Sequence, residues 1–225
     1  MDPSPGRRSS DVSTEQHRDQ RRAAFAEVQR KLRNVFAVVR SIAKRTAETS
    51  DSLDEFVANF DGRLNAYART LSLLSHDPEL GADLEFMLAE ELLAAHAREG
   101  EQVSVSGPSV QLQPRAAETI GLAIHELTTN AIRHGALGQA GGKLDISWRF
   151  EADGDARVLV FDWNETSERK LMMMPTRRGF GIAVLEQTLP YELNARSELH
   201  FGGTGFRCRI RLPVNDQIIV LADKP

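Results

Sequence analysis

The chain has 225 residues, of which 41% are apolar and 27% charged. That is the balance of a folded protein of one sizeable domain or two small ones, and it excludes wholesale disorder. The net charge of −4 lacks the basic excess of a nucleic-acid binder, and the single cysteine, Cys208, excludes an intrachain disulfide and fits a reducing compartment. No apolar run approaches the roughly 20 residues that a membrane helix needs. The polar N-terminus is no secretory signal, so the expected location is the cytoplasm.

Residues 1–17 are rich in Pro, Ser and Gly and are expected to form a disordered tail. From about residue 18, Phe25, Val28, Leu32, Val35, Val39 and Ile42 follow one another at alternating steps of three and four. This is the repeat of a helix packed along a supercoiled seam. The polar stretch from Thr46 to Asp51 interrupts it, and Leu53, Val57, Phe60, Leu64, Tyr67, Leu71 and Leu74 resume it. Two such helices joined by a short turn predict an antiparallel hairpin over 18–76. A lone hairpin exposes much of its apolar stripe, so two copies are expected to pair into a four-helix bundle, making the protein a homodimer.

A different composition follows. Asp83 to Glu99 reads as a helix. Val103 and Val105 alternate as in a strand, and Gly107-Pro108 marks a turn. Pro114 to Arg133 is a helix with apolar Ile120, Ala123, Ile124 and Leu127 on one side. Leu144 to Phe150 and Val158 to Trp163 are strands around the turn Asp153-Gly154-Asp155. Gly181 to Leu189 is a short helix, and Leu199 to Phe201 with Phe206 to Leu212 form a last hairpin. The fold class is therefore α+β: a helical bundle, then helices over a mixed sheet across 77–215, then a tail over 216–225.

The segment His125-Glu126-Leu127-Thr128-Thr129-Asn130-Ala131-Ile132-Arg133-His134-Gly135-Ala136-Leu137 carries the most information. Glu126, Asn130 and Arg133 share one helical face. Downstream come Trp163-Asn164-Glu165 at a strand end and Arg178-Gly179-Phe180-Gly181 before a helix. Glycines there let backbone amides approach a phosphate. In this order the three motifs resemble those of the HWE histidine kinases, within the GHKL ATPases. Gly107-Pro108, Val110, Leu112 and Pro114 also match that subfamily's lead-in, and the likeness covers about residues 25–213. It implies a dimerisation and histidine-phosphotransfer-like hairpin followed by a GHKL sandwich that binds ATP and Mg²⁺. The ATP and Mg²⁺ residues would be Glu126, Asn130, Arg133, His134, Glu165, Gly179 and Gly181, with the Asn130 amide as the Mg²⁺ ligand. His125, Trp163 and Glu165 are the subfamily's hallmark residues.

Two departures matter. Where the subfamily's first helix carries His-Arg-x-Lys-Asn, this chain has Arg30-Lys31-Leu32-Arg33-Asn34. With Val28 and Leu32 on the seam, Arg30 faces water at heptad position f. A guanidinium stays protonated and has no lone pair for attack on phosphorus, so phosphorylation at this position is excluded. His17, nearly opposite Arg30 by helical rotation, and His76, after the hairpin, do not replace it. The second departure is Thr166-Ser167-Glu168-Arg169, where the subfamily has a glycine-rich loop. Arg169 to Arg178, with Met172, Met173 and Met174, takes the place of its ATP lid.

Two functions follow from this pattern. One is a regulatory relative that does not phosphorylate itself. It would grip a response regulator receiver domain or an HWE kinase through Arg30, Lys31, Arg33 and Asn34, since receiver domains present an acidic pocket. The other is an ATP-dependent kinase that phosphorylates histidine or serine in a partner, as anti-sigma kinases of the GHKL class do.

Overall fold

The computed structural model describes residues 6–76, 81–97, 102–154, 156–167, 179–203 and 205–220. Residues 168–178, with the expected lid and its three methionines, lie outside them. Two compact units are present, Met1–Glu48 and Thr49–Pro225.

The first unit is built on helix α1 (Gly6–Thr49). The helix starts inside the stretch expected to be a disordered tail. Residues 7–17 contain neither Pro nor Gly, so a helix nucleated downstream extends through them at the cost of propensity alone. Pro5 directly precedes its start. Three of the apolar positions on the expected seam, Phe25, Val28 and Leu32, are exposed.

The second unit opens with helix α2 (Leu53–His76). Ser52 caps it: its hydroxyl accepts the Glu55 N–H at 3.1 Å, and the Glu55 carboxylate accepts the Asp51 N–H at 2.8 Å. The division between the two compact units falls before α2. The reason lies on its surface: Arg63, Ala66, Tyr67, Thr70 and Leu74 form a buried stripe. That stripe packs on α3 (Leu84–Ala94) and α4 (Pro114–Arg133). The seam residues Leu53 and Val57 stay exposed, on another side of the helix.

Helix α3 is capped by Asp83, which accepts the Phe86 N–H at 2.9 Å. Asp83 also ends the short strand β1 (Ala82–Asp83), paired with β3 (Gln111–Leu112). The main sheet contains β2 (Val103–Ser106), β4 (Lys143–Asp153), β5 (Ala156–Thr166), β6 (Arg196–Phe201) and β7 (Gly205–Pro213), in the order β2-β4-β5-β7-β6. Only β2 and β4 pair in parallel, so the sheet is mixed as expected. Pro114 occupies the first turn of α4, where its missing N–H costs nothing. Ile120, Ile124 and Leu127 of α4 meet Phe161, Ile210 and Leu212 of β5 and β7. Each such buried side chain contributes about 1.5–3 kcal/mol by leaving water.

Helix α5 (Phe180–Ala183) continues through a π-helical turn, Val184–Thr188, into α6 (Leu189–Leu193). Pro190 has no N–H for the carbonyl of Glu186, which breaks the regular ladder there. Of the tail expected over 216–225, residues 216–220 are described, and they pack on the fold. Ile218 and Ile219 are buried, and the Val220 N–H reaches the Gln111 carbonyl at 2.8 Å. The apolar run 218–220 completes the edge at β3, where an exposed strand would otherwise offer unpaired groups. No helix among the described residues is long and apolar enough to cross a membrane.

Candidate functional site

The C-terminal half of α4 and the start of α5 border a cleft of about 340 Å³, within the range of small-molecule sites. Its lining divides by chemistry. His125, Glu126, Asn130, Arg133 and His134 come from α4 and its cap, and Arg63 comes from α2. Ile182, Leu185, Leu199, Phe201 and Phe206 supply apolar surface, the last two with ring centroids 4.9 Å apart. Gly179, Gly181 and Glu165 also line it, as do Glu55, Asn59 and Gly62 of α2. The nucleotide residues expected from the sequence thus converge on one cleft.

Their states differ. Asn130, Arg133 and His134 are exposed at the cleft, and the Asn130 carboxamide makes no hydrogen bond to a described residue. Glu126 is buried, and both its oxygens are held by Arg63, at 2.7 Å from Nε and 3.1 Å from Nη2. Gly181 lies tight against this pair. A Cβ there would sit 3.1 Å from Glu126 Cβ and 3.2 Å from Asn130 Nδ2. At Gly179 a Cβ would meet nothing.

Glu165 is buried between two donors. Its Oε2 accepts the Ala136 N–H at 2.8 Å and its Oε1 the Trp163 indole N–H at 2.9 Å. Burial pushes its carboxyl above the ordinary range, and the two donors only partly oppose this. Trp163 is wholly buried in β5. Trp-x-Glu therefore ties strand β5 to the loop that ends α4. Gly135 makes this tie possible: a Cβ there would lie 1.9 Å from Glu165 Oε2. Each Glu165 oxygen keeps a second lone pair, so the group can still accept from a ligand.

His125 lines the cleft but also serves the helix packing. Its Nδ1 is 2.7 Å from Glu91 Oε1 on α3, and Arg69 of α2 bonds the other oxygen of Glu91. Burial alone would raise the Glu91 carboxyl, but the bonds to His125 and Arg69 outweigh it and hold it below the usual value. Glu91 thus joins three helices.

Sequence reasoning missed Arg63, Glu91 and Gly135. Arg63 left a trace, a charge inside the stripe Phe56, Phe60, Arg63, Tyr67, Thr70, Leu74. Glu91 and Gly135 act through long-range contacts that leave no periodic sign.

Arg30, Lys31, Arg33 and Asn34 lie on α1 in the first unit, all exposed. Arg30 forms a fork with Glu27, at 3.0 Å from Nε and 2.6 Å from Nη2, and Lys31 lies 4.0 Å from the same carboxylate. The hydrogen bond to Glu27 pushes the Arg30 pKa further up, so the side chain stays charged.

Residues 27–109, which include Arg30 and Arg63, match the HWE histidine kinase family. A blue-light-activated histidine kinase of Brucella ovis is 28% identical over 192 residues, 85% of this chain and 39% of that protein. Blue-light-activated histidine kinase 1 of Erythrobacter litoralis is 29% identical over 200 residues, 87% of this chain and 54% of that protein. The chain is homologous to these blue-light-activated histidine kinases. It spans only about two fifths to a half of the length of these curated relatives. Among solved structures, the histidine kinase domain of the Erythrobacter litoralis EL346 blue-light-activated histidine kinase superposes with a TM-score of 0.53 at 18% identity, covering 80% of this chain and 96% of that one. A longer structure of the EL346 protein gives 0.56 at 17% identity, covering 84% and 60%. The fold is that of a histidine kinase core, a helical N-terminal part followed by a sheet-based catalytic domain of the GHKL type.

Proposed function

We propose that this chain is a two-component signalling protein that binds Mg²⁺-ATP in the α4 cleft but does not phosphorylate itself at the family's acceptor position. Arg30 carries the reading. It occupies that position, exposed on α1 and locked to Glu27, while the cleft residues of the second unit stay together. A side chain that never deprotonates cannot be the nucleophile.

The cleft residues fit the nucleotide. The Asn130 carboxamide has no partner among the described residues, and its oxygen is a hard neutral ligand of the kind Mg²⁺ takes beside water and phosphate. Arg133 and His134 offer donors to anionic oxygens, and Phe201, Phe206 and Leu185 offer apolar surface to a base. Bound ATP would supply the transferable phosphoryl group, with Mg²⁺ offsetting its charge. Calorimetry with Mg²⁺-ATP tests this directly: the unmodified protein gives heat, and Asn130→Ala weakens binding. Absence of heat at millimolar nucleotide overturns the reading.

The partner face is α1. Arg30, Lys31 and Arg33 outnumber Glu27, so the patch keeps a basic surplus suited to the acidic pocket of a receiver domain or to an HWE kinase. Phe25, Val28 and Leu32 of α1 and Leu53 and Val57 of α2 are exposed apolar residues on the heptad seams, which supports a homodimer through the bundle. A second reading, a kinase acting on a partner protein, draws on one observation: every lining residue of the cleft belongs to the second unit. Acid-labile or acid-stable label on an added partner would favour it.

A further inference from the structure

We propose that Arg63, supplied by α2, is a positioning residue of the nucleotide site: it neutralises Glu126 so that the cleft accepts a polyphosphate. This rests on the Mg²⁺-ATP reading. Glu126 stands one helical turn before Asn130, and Gly181 packs against both. The point where a Gly181 Cβ would lie is 3.2 Å from Glu126 Oε2 and 3.2 Å from Asn130 Nδ2. A carboxylate so placed would repel phosphate oxygens drawn to the Asn130 side of the cleft. Arg63 removes that repulsion with two parallel bonds to the carboxylate, in a pair whose side chains are only 8% and 7% exposed. The same guanidinium stacks 3.8 Å from the centroid of the Phe180 ring, at the start of α5. One side chain therefore joins α2, the α4 carboxylate and the glycine-flanked segment.

Of the other α2 residues that line the cleft, Glu55 is itself a carboxylate and Ala58, Asn59 and Gly62 are uncharged, so none of them can neutralise Glu126. Tyr67 bonds Glu118 at 3.2 Å and Arg69 bonds Glu91, but neither lines the cleft. Arg133 lines it yet is exposed, where solvent screens its charge. Reciprocity follows from linkage: if the seat of α2 favours nucleotide, nucleotide favours the seat of α2. The helix that follows the Arg30 helix thereby has a direct hold on the catalytic cleft.

The test titrates Mg²⁺-ATP by calorimetry into the full chain, Arg63→Met, and the double variant Arg63→Met/Glu126→Gln, with thermal melts to confirm folding. Arg63→Met keeps a long apolar stem over Phe180 but strands the Glu126 charge, and its Kd rises by about tenfold or more. The double variant removes both charges and binds at least about threefold more tightly than Arg63→Met. A double variant as weak as Arg63→Met overturns the proposal, because Arg63 would then act by direct contact. Arg63→Met binding equal to or tighter than the unmodified protein overturns it too. If Arg63→Met fails to fold, the same comparison is made between Arg63→Gln and Arg63→Gln/Glu126→Gln. An unmodified protein that gives no heat sinks the nucleotide reading and this proposal together, whereas normal binding with an indifferent Arg63→Met sinks this proposal only.

Discussion

Replacing Gly135 by alanine should be among the most damaging single-methyl changes at the site, and its magnitude can be worked from the contacts. The new Cβ would lie 1.9 Å from Glu165 Oε2 and 2.7 Å from the Ala131 Cα. The carboxylate cannot simply swing away, because Ala136 and Trp163 hold its two oxygens. The Ala131 atom is backbone in α4 and cannot move alone. Overpacking of this kind costs about 1–3 kcal/mol, and losing the Glu165 bond to the Ala136 N–H adds about 1 kcal/mol. The sum, about 2–4 kcal/mol, lowers the Tm by about 2–4 °C per kcal/mol for a protein of this size. Gly181→Ala should cost less, since its nearest contacts are 3.1–3.2 Å and neighbours need give only a few tenths of an ångström. Gly179→Ala should be within about 0.5 kcal/mol of neutral, because its Cβ meets nothing and its φ of −75° suits any residue. Urea or thermal denaturation of the three variants ranks them. A Gly179→Ala as damaging as Gly135→Ala would refute the account of how this wall of the cleft is built.

Other expectations concern pH, assembly and encounter. The bonds from His125 and Arg69 hold Glu91 below its unfolded pKa, so its stabilisation is present above that value and lost as pH falls through the folded one. Glu91→Gln should therefore unfold at lower urea than the unmodified protein at pH 7, and the gap should close as pH falls through the lowered folded-state pKa of Glu91. Leu32→Glu or Leu64→Glu should shift light scattering from dimer to monomer mass, because each would bury an unpaired charge in the seam. Monomer mass for the unmodified protein would refute the bundle. Arg30→Glu should slow association with an acidic receiver domain and reduce its salt dependence, with little change in Tm, since the side chain is exposed. Unchanged surface-plasmon on-rates would mean that the patch is only solvated surface.

The elements that read most clearly were those with local causes. Helix α4 runs from Pro114 to Arg133 as expected, because a proline fixes its first turn and its apolar residues recur at helical spacing. The hairpin of β4 and β5 followed from alternation around Gly154. What failed to show was which neighbour covers a face. The heptads of α2 include Tyr67 and Leu74, yet these two are buried on α3 and α4 together with Arg63, Ala66 and Thr70, which the heptads omit. Ile218 and Ile219 looked like part of a tail because a short unbroken apolar run shows no alternation, although Ile219 bridges Leu112 of β3. At the site, the resemblance of three motifs to those of the HWE histidine kinases grouped Asn130, Gly181 and Glu165, which line one cleft. The pairing of Glu126 with Arg63 joins residues 63 positions apart and could be seen only in three dimensions.

The most direct test of the account is incubation of the full chain with Mg²⁺ and γ-³²P-labelled ATP, followed by assay of acid-labile phosphate on the protein. The account predicts none, because Arg30 offers no nucleophile, even when calorimetry on the same preparation shows nucleotide bound. Acid-labile label on the unmodified chain would contradict it.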